Sequence, residues 1–77
     1  MSKLSNKFGD RLNYVLWIKN MTNSELAKLT GISNPSLTRY ITGERLPGAK
    51  NLCLICDGLA VYPNFLLGYT DRLVFRF

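Results

Sequence analysis

A chain of 77 residues has room for one domain only. Ten Lys and Arg residues against five Asp and Glu give a net charge of +5, which favours a polyanionic partner such as nucleic acid. The chain has no histidine and only two cysteines, so it cannot supply the four Cys and His ligands of a structural zinc site. It also lacks paired carboxylates and an activated nucleophile. We therefore expect no enzyme, no catalytic residue, and no metal, cofactor or small-molecule ligand.

The N-terminal residues are polar and no long apolar run follows them, so we expect neither a signal peptide nor a membrane span. This pattern predicts a cytoplasmic protein. Cys53 and Cys56 are three residues apart in an apolar stretch. In a reducing cytoplasm they are expected to be two buried helical thiols.

The first predicted element is an amphipathic helix over residues 5–19. Its apolar stripe, with the spacing of one helix face, consists of Phe8, Leu12, Val15 and Leu16. Ser5 or Asn6 is expected to cap its start. Asn20 is expected to take the left-handed conformation that follows a helix end.

A short second helix over residues 23–29 is predicted because Thr22 and Glu25 have the spacing of a capping box. Gly31 ends it and permits the positive φ angle of a tight turn. Ala27 is expected to be small because the next helix packs across it.

A third helix begins after Ser33, an N-cap residue, with Pro35 in its first turn, and ends at Gly43. Its predicted buried face consists of Leu37, Tyr40 and Ile41. A fourth helix is predicted over Ala49–Leu59, and a fifth of one or two turns begins at Pro63.

The pattern predicts a compact all-α domain of five helices over residues 1–70, followed by a short apolar tail over residues 71–77. The tail reads D-R-L-V-F-R-F, and its polar and apolar residues alternate in part. A short strand, an extended arm and the end of a helix all remain open for it.

These motifs together resemble the lambda-repressor/Cro-like helix-turn-helix family. The resemblance extends over residues 9–68 and includes G-D-R-L in helix one, M-T-N-S-E-L-A-K-L-T-G-I-S through the turn, R-Y-I-T-G-E-R-L-P after it, and G-L-A-V-Y-P-N-F-L-L-G at helices four and five. It implies that helices two and three form the helix-turn-helix and that helix three lies in the major groove of DNA.

The resemblance also implies a set of DNA-binding residues, which are Asn23, Asn34, Pro35, Ser36, Thr38, Arg39 and Arg45. Arg39 suits a bidentate contact with guanine and Asn34 one with adenine. Asn23, Lys28, Arg45 and Lys50 suit phosphates, and a solvated position on the helix surface is the alternative for Lys28. Helix capping is an alternative role for Pro35. Arg39 has no acid four residues away, and Glu44, five residues on, is a poor partner on a continuous helix.

Helix one departs from the family, because Leu16, Trp17 and Ile18 replace residues that are mostly charged there. The inward stripe is already filled, so Tyr14 and Trp17 have no evident place in the core, and together with the apolar tail they form more apolar surface than a small monomer should expose. The expected protein interface consists of Tyr14, Trp17, Ile18, Leu73, Phe75 and Phe77. The alternative is that the tail and helix one pack on each other within one chain.

The resemblance favours a small regulator of a phage lysis/lysogeny switch, in the cytoplasm of a bacterial host, that binds double-stranded operator DNA. A second hypothesis is an antirepressor that contacts the DNA-binding domain of a cognate phage repressor, and a third is an antitoxin. A homodimer is compatible with each hypothesis.

Overall fold

The computed structural model describes residues 5–76, and this part of the chain forms five α-helices. They are α1 (Phe8–Ile18), α2 (Asn23–Thr30), α3 (Asn34–Thr42), α4 (Ala49–Leu59) and α5 (Pro63–Leu66). The predicted all-α class is confirmed. Among the described residues, no helix is long and apolar enough to cross a membrane.

The two ends of α1 differ in how well they were predicted. The helix begins at Phe8 rather than at residue 5, and its N-cap, Lys7, makes no side-chain capping bond. The expected cap residues therefore do not cap it. At the other end Asn20 has φ 54°, as predicted. The N–H of Met21 donates to the Leu16 carbonyl at 2.9 Å, which is the bond of a Schellman helix end.

The local signals around α2 and α3 are confirmed. Thr22 and Glu25 form both hydrogen bonds of the capping box, and the Ser33 side chain accepts the N–H of Ser36. Gly31 and Gly43 follow the two helices with φ 78° and 83°. Each of these features depends on residues only a few positions apart, so the sequence contains what determines it.

One core lies between the helices. Its completely buried apolar side chains come from all five helices and from the segment between α4 and α5, and they are Leu12, Val15, Leu26, Leu37, Ile55, Leu59, Val61 and Leu66. Helices α1 and α3 approach closely at Gly9, where a Cβ atom would lie 2.2 Å from the Ile41 carbonyl oxygen. This contact fixes α3 against the body of the domain.

Arg11 is a completely buried cation that the sequence did not indicate. Its guanidinium lies 4.8 Å from the centre of the Phe65 ring. It donates to the Ser5 carbonyl at 2.7 Å, to the Phe65 carbonyl at 2.9 Å and to Asn6 Oδ1 at 3.1 Å. It also bonds the Thr70 carbonyl and the Asp71 carboxylate. These bonds join the residues before α1 to the chain after α5, which explains why Ser5 and Asn6 are not helical.

The tail is an extended arm, one of the three forms that the sequence left open. Phe75 pairs with Val61 in an isolated antiparallel bridge, and the Arg76 N–H donates to the Ala60 carbonyl at 2.6 Å. Leu73 and Phe75 are partly buried against the core. Phe77, a predicted interface residue, lies outside the described residues.

The two cysteines differ in exposure. Cys56 is buried, as predicted, and burial raises the pKa of its thiol. Cys53 is exposed, so the prediction of two buried thiols is wrong. The buried face of α4 contains Ile55, Cys56 and Leu59, and Cys53 lies beyond the edge of that stripe.

Candidate nucleic-acid interface

The turn between α2 and α3 sets the orientation of α3. Gly31 reverses the chain direction with its positive φ, and Ile32 directly after it is buried with 6% of its surface exposed. Leu37 and Tyr40 attach the inner face of α3 to the core, with exposures of 0% and 5%. The opposite face of α3 therefore points away from the domain.

That outer face carries the predicted base-reading residues. Asn34, Pro35, Thr38 and Arg39 are exposed, and Ser36 is half-buried. The Ser36 hydroxyl accepts a hydrogen bond from the Ser33 hydroxyl at 3.0 Å, so part of its bonding capacity is used within the cap. Pro35 lies in the first turn of α3. It constrains the backbone there and has no polar side-chain atom for a base edge.

The first turns of α2 and α3 lie side by side. The Asn34 amide donates to the Ser24 hydroxyl at 3.4 Å, which links the two helices, and Asn23, the first residue of α2, is half-buried beside this link. The N-terminus of a helix carries free N–H groups and partial positive charge, which favours phosphate. The sequence did not indicate Ser24, because its role depends on the crossing of the two helices.

Arg39 has an acidic partner that was not expected. Its Nε lies 3.4 Å from Oε2 of Glu44, so the statement that Glu44 is a poor partner is wrong. That argument assumed a helix continuing to residue 44. The helix instead ends at Thr42, and Gly43 turns the chain back with φ 83°. The turn brings Glu44 beside the side chain of Arg39.

The remaining predicted phosphate contacts are three exposed cations, and the first of them, Arg45, follows Glu44. The other two are Lys28 in α2 and Lys50 in the first turn of α4. Long cationic side chains at such positions can contact phosphates from several directions, which adds affinity without reading the sequence.

The predicted protein interface falls into two parts. Trp17 is 76% exposed, and the centres of the Trp17 and Tyr14 rings are 6.4 Å apart. The centre of the Tyr14 ring also lies 6.1 Å from that of the buried Phe65 ring. On another side, Ile18 and Phe75 line one surface cavity of about 500 Å³. Helix one and the tail thus do meet within the chain. Leu16 belongs to neither part, because it is buried in the core.

Within residues 5–76, no group of three or more His, Cys, Asp or Glu side chains could hold a metal ion. The described side chains that converge at the outer face of α3 are hydroxyls, an amide and a guanidinium, which bind by hydrogen bonding.

Two solved structures resemble this fold. The P22 c2 repressor, solved in complex with a synthetic operator, is 25% identical, with a TM-score of 0.77 over 83% of this chain and 98% of that one. The restriction-modification controller protein C.AhdI from Aeromonas hydrophila is 26% identical, with a TM-score of 0.75 over 79% of this chain and 92% of that one. No curated protein sequence matches the chain significantly.

The family model described as helix-turn-helix matches residues 18–66, which include α2, the turn and α3. This is more than half of the chain, and both structural relatives are regulators of the same type. The resemblance found in the sequence is confirmed. The chain belongs to the lambda-repressor/Cro-like helix-turn-helix family.

Proposed function

We propose that this helix-turn-helix regulator of transcription binds operator DNA by placing α3 in the major groove, and that it opposes or modulates a phage repressor in a lysis/lysogeny switch. The observation that carries the first part is the outer face of α3. Its polar side chains are exposed while Leu37 and Tyr40 hold the inner face at 0% and 5% exposure. A helix held in this way can enter the groove while its contacts with the core stay intact.

Each side chain on that face has a distinct chemistry. The guanidinium of Arg39 can donate two bonds to O6 and N7 of guanine, and the amide of Asn34 can bond N6 and N7 of adenine. Thr38 offers a methyl group to thymine and a hydroxyl to a base or phosphate. Pro35 contributes only the shape of its ring. Ser36 contributes a hydroxyl that already accepts a hydrogen bond from Ser33.

Phosphate contacts fix the position of α3 along the groove. In the proposed complex, Asn23 and the N–H groups at the start of α2 bind one phosphate, and Arg45 binds another. A homodimer of this fold would place two copies of α3 about 34 Å apart, one helical turn of DNA. Likeness to the P22 c2 repressor, solved with an operator, supports the operator and phage parts of the proposal.

The direct test is titration of fluorescent duplex from upstream of the gene for this protein, at low and high salt. If Lys28, Arg45 and Lys50 each neutralise a phosphate, affinity should fall roughly 40-fold between about 50 and 200 mM salt, and more for a dimer. Arg39→Ala should weaken binding by ~1–3 kcal/mol and flatten preference at one base pair.

Arg72→Ala is the matched control, since Arg72 is an exposed arginine in the tail. It should change the affinity little. If Arg39→Ala and Arg72→Ala lose the same DNA affinity, Arg39 contributes only positive charge and does not read a base.

A second candidate function is favoured by Trp17, whose side chain is 76% exposed beside Tyr14. In this alternative the protein is an antirepressor, and the aromatic pair contacts the DNA-binding domain of a phage repressor. Aromatic residues are enriched at the centres of protein interfaces. The antitoxin hypothesis stays a prediction without a supporting observation here.

The antirepressor is tested by mixing this protein with a candidate phage repressor and measuring complex formation at high salt. Trp17→Ala should abolish the complex without lowering the midpoint of thermal unfolding. Tyr69→Ala is the control, because Tyr69 is 82% exposed near the other end of the chain. If both variants bind the repressor equally, or no complex forms, the aromatic pair is not such an interface.

A further inference from the structure

The ion pair between Arg39 and Glu44 lies on the proposed DNA-reading surface. The Arg39 Nε and Glu44 Oε2 are 3.4 Å apart, and the two side chains are 51% and 69% exposed. An ion pair this exposed contributes little to folding stability. Its position on α3 and the turn after it suggests a role in recognition.

The turn that ends α3 fixes the backbone on both sides of Glu44. Gly43, with φ 83°, donates its N–H to the Tyr40 carbonyl at 3.3 Å. The Arg45 N–H returns to the Arg39 carbonyl at 3.2 Å, and the Thr42 hydroxyl donates to the same carbonyl at 3.2 Å. The backbone before Glu44 is therefore bonded to Tyr40, and the backbone after it to Arg39, the residue that Glu44 contacts.

The contact uses one particular edge of the guanidinium. A guanidinium has five N–H donors in a planar fork, and the Glu44 carboxylate lies nearest to Nε, as an ion pair rather than a hydrogen bond. The two terminal amino groups lie at the far end of the fork and can still form two parallel bonds. O6 and N7 of guanine accept two bonds of that kind.

We propose that Glu44 is a positioning residue for Arg39, and that it holds the guanidinium with its terminal amino groups directed at a guanine. This inference rests on the proposed function, in which Arg39 reads a base. A free arginine side chain has many rotamers, and fixing one of them before binding reduces the entropy lost on contact. Glu44 also bears negative charge near the DNA backbone, so it weakens binding to every sequence while sharpening the preference for guanine.

The experiment selects duplexes from a randomised library about two helical turns long, so no operator need be known. The base preference at each position is then measured for the wild type and for Arg39→Ala, Glu44→Ala, Glu44→Gln and the double variant Arg39→Ala with Glu44→Ala. Thermal unfolding checks that all variants are folded. Glu44→Gln is the matched control, because the amide keeps the length and shape of the side chain but removes the charge that pairs with Arg39.

We expect Arg39→Ala to flatten the preference for guanine at one position. Glu44→Ala should reduce that preference by about 5-fold or more, out of the roughly 5- to 150-fold that a bidentate contact supplies. Glu44→Gln should reduce the preference in the same way, because the pairing with Arg39 is ionic, while it binds all duplexes more tightly. In the Arg39→Ala background, Glu44→Ala should leave the base preferences unchanged.

The possible failures are distinguishable. If Arg39→Ala flattens no position, or the wild type selects no sequence, the proposed reading by Arg39 fails and the inference fails with it. If Arg39→Ala flattens one position but Glu44→Ala retains the preference there, Arg39 reads the base without help from Glu44. If Glu44→Ala binds all duplexes more tightly and retains every base preference, Glu44 acts only by repelling the DNA phosphates and does not position Arg39.

Discussion

Gly9 provides a quantitative test of how α1 holds the proposed reading helix. A Cβ atom added there would lie 2.2 Å from the Ile41 carbonyl oxygen and 2.5 Å from the Tyr40 carbonyl oxygen. Close carbon–oxygen contacts in proteins are about 3.3 Å. Both oxygens belong to the backbone of α3, so no side-chain rotation relieves the overlap. Gly9→Ala therefore requires α3 to move by about 1 Å relative to α1.

The energetic cost follows from two opposing effects. Forcing an extra methyl group into a packed contact costs about 1–3 kcal/mol, and a backbone clash belongs at the upper end. Replacing glycine by alanine in a helix returns about 0.5–1 kcal/mol. We expect a net loss of about 2 kcal/mol, which lowers the melting temperature of a domain this size by about 8–16 °C.

Gly58→Ala is the matched control within α4. Its Cβ would meet the methyl group of Thr30 at 3.1 Å and the side chain of Leu29 at 3.4 Å, and both are side-chain atoms that can give way. We expect a change within about 1 kcal/mol in either direction, because the helix gain offsets the contact.

The assay is thermal unfolding followed by circular dichroism, with duplex binding measured on the folded variants. Recognition depends on placement within about 0.5 Å, so Gly9→Ala should lose sequence preference even at temperatures where it is folded. A Gly9→Ala protein as stable as wild type and with unchanged DNA preference would refute the close packing of α1 on α3.

Three further predictions concern stability, pH and thiol reactivity. Arg11→Met should lower the free energy of unfolding in urea by about 2–4 kcal/mol because the part-buried Ser5 and Thr70 carbonyls lose the hydrogen bonds that Arg11 donates to them; a change below about 1 kcal/mol would contradict this role. Thr22→Ala should cost about 1 kcal/mol at neutral pH. Hydrogen bonds from Thr22 lower the pKa of Glu25 in the folded state, so this stabilisation is present above the unfolded pKa and is lost as pH falls through the folded one. The Thr22 N–H, which is the larger cause of this shift, remains in Thr22→Ala, so Glu25→Ala is the variant that tests the pH dependence. The difference in free energy of unfolding between wild type and Glu25→Ala should narrow as the pH falls through the folded pKa of Glu25, and a difference that stays constant down to about pH 3 would contradict this. Exposed Cys53 should react with a thiol reagent in the folded protein, whereas Cys56, buried and with a raised pKa, should react only after unfolding; equal labelling rates would contradict their placement.

Much of the local structure was predictable from residues close together in the sequence. Thr22 and Glu25 specify the start of α2, and Gly31 and Gly43 mark the turns after α2 and α3. Capping bonds and positive φ angles arise within a few residues, so the sequence pattern contains their causes. The start of α1 was predicted less well, because Ser5 accepts from Arg11 in place of a capping role.

The candidate site was predictable in part. The exposed positions of α3 followed from the periodicity of Leu37 and Tyr40, and their assignment to DNA followed from the family. Glu44 was missed as a partner of Arg39 because helix spacing was applied beyond the helix end at Thr42. A glycine after α3 was the available signal that the chain reverses there.

The sequence by itself determined the helical class, the caps and turns, the membership of a helix-turn-helix family and the outward face of α3. These features depend on propensity, periodicity and short-range hydrogen bonds. Only the tertiary structure decided that Arg11 joins both ends of the domain, and that the tail lies extended beside Val61. It also decided that Gly9 is the point where α1 meets α3. Those contacts join residues far apart in the chain, and their geometry exists only once the helices have packed.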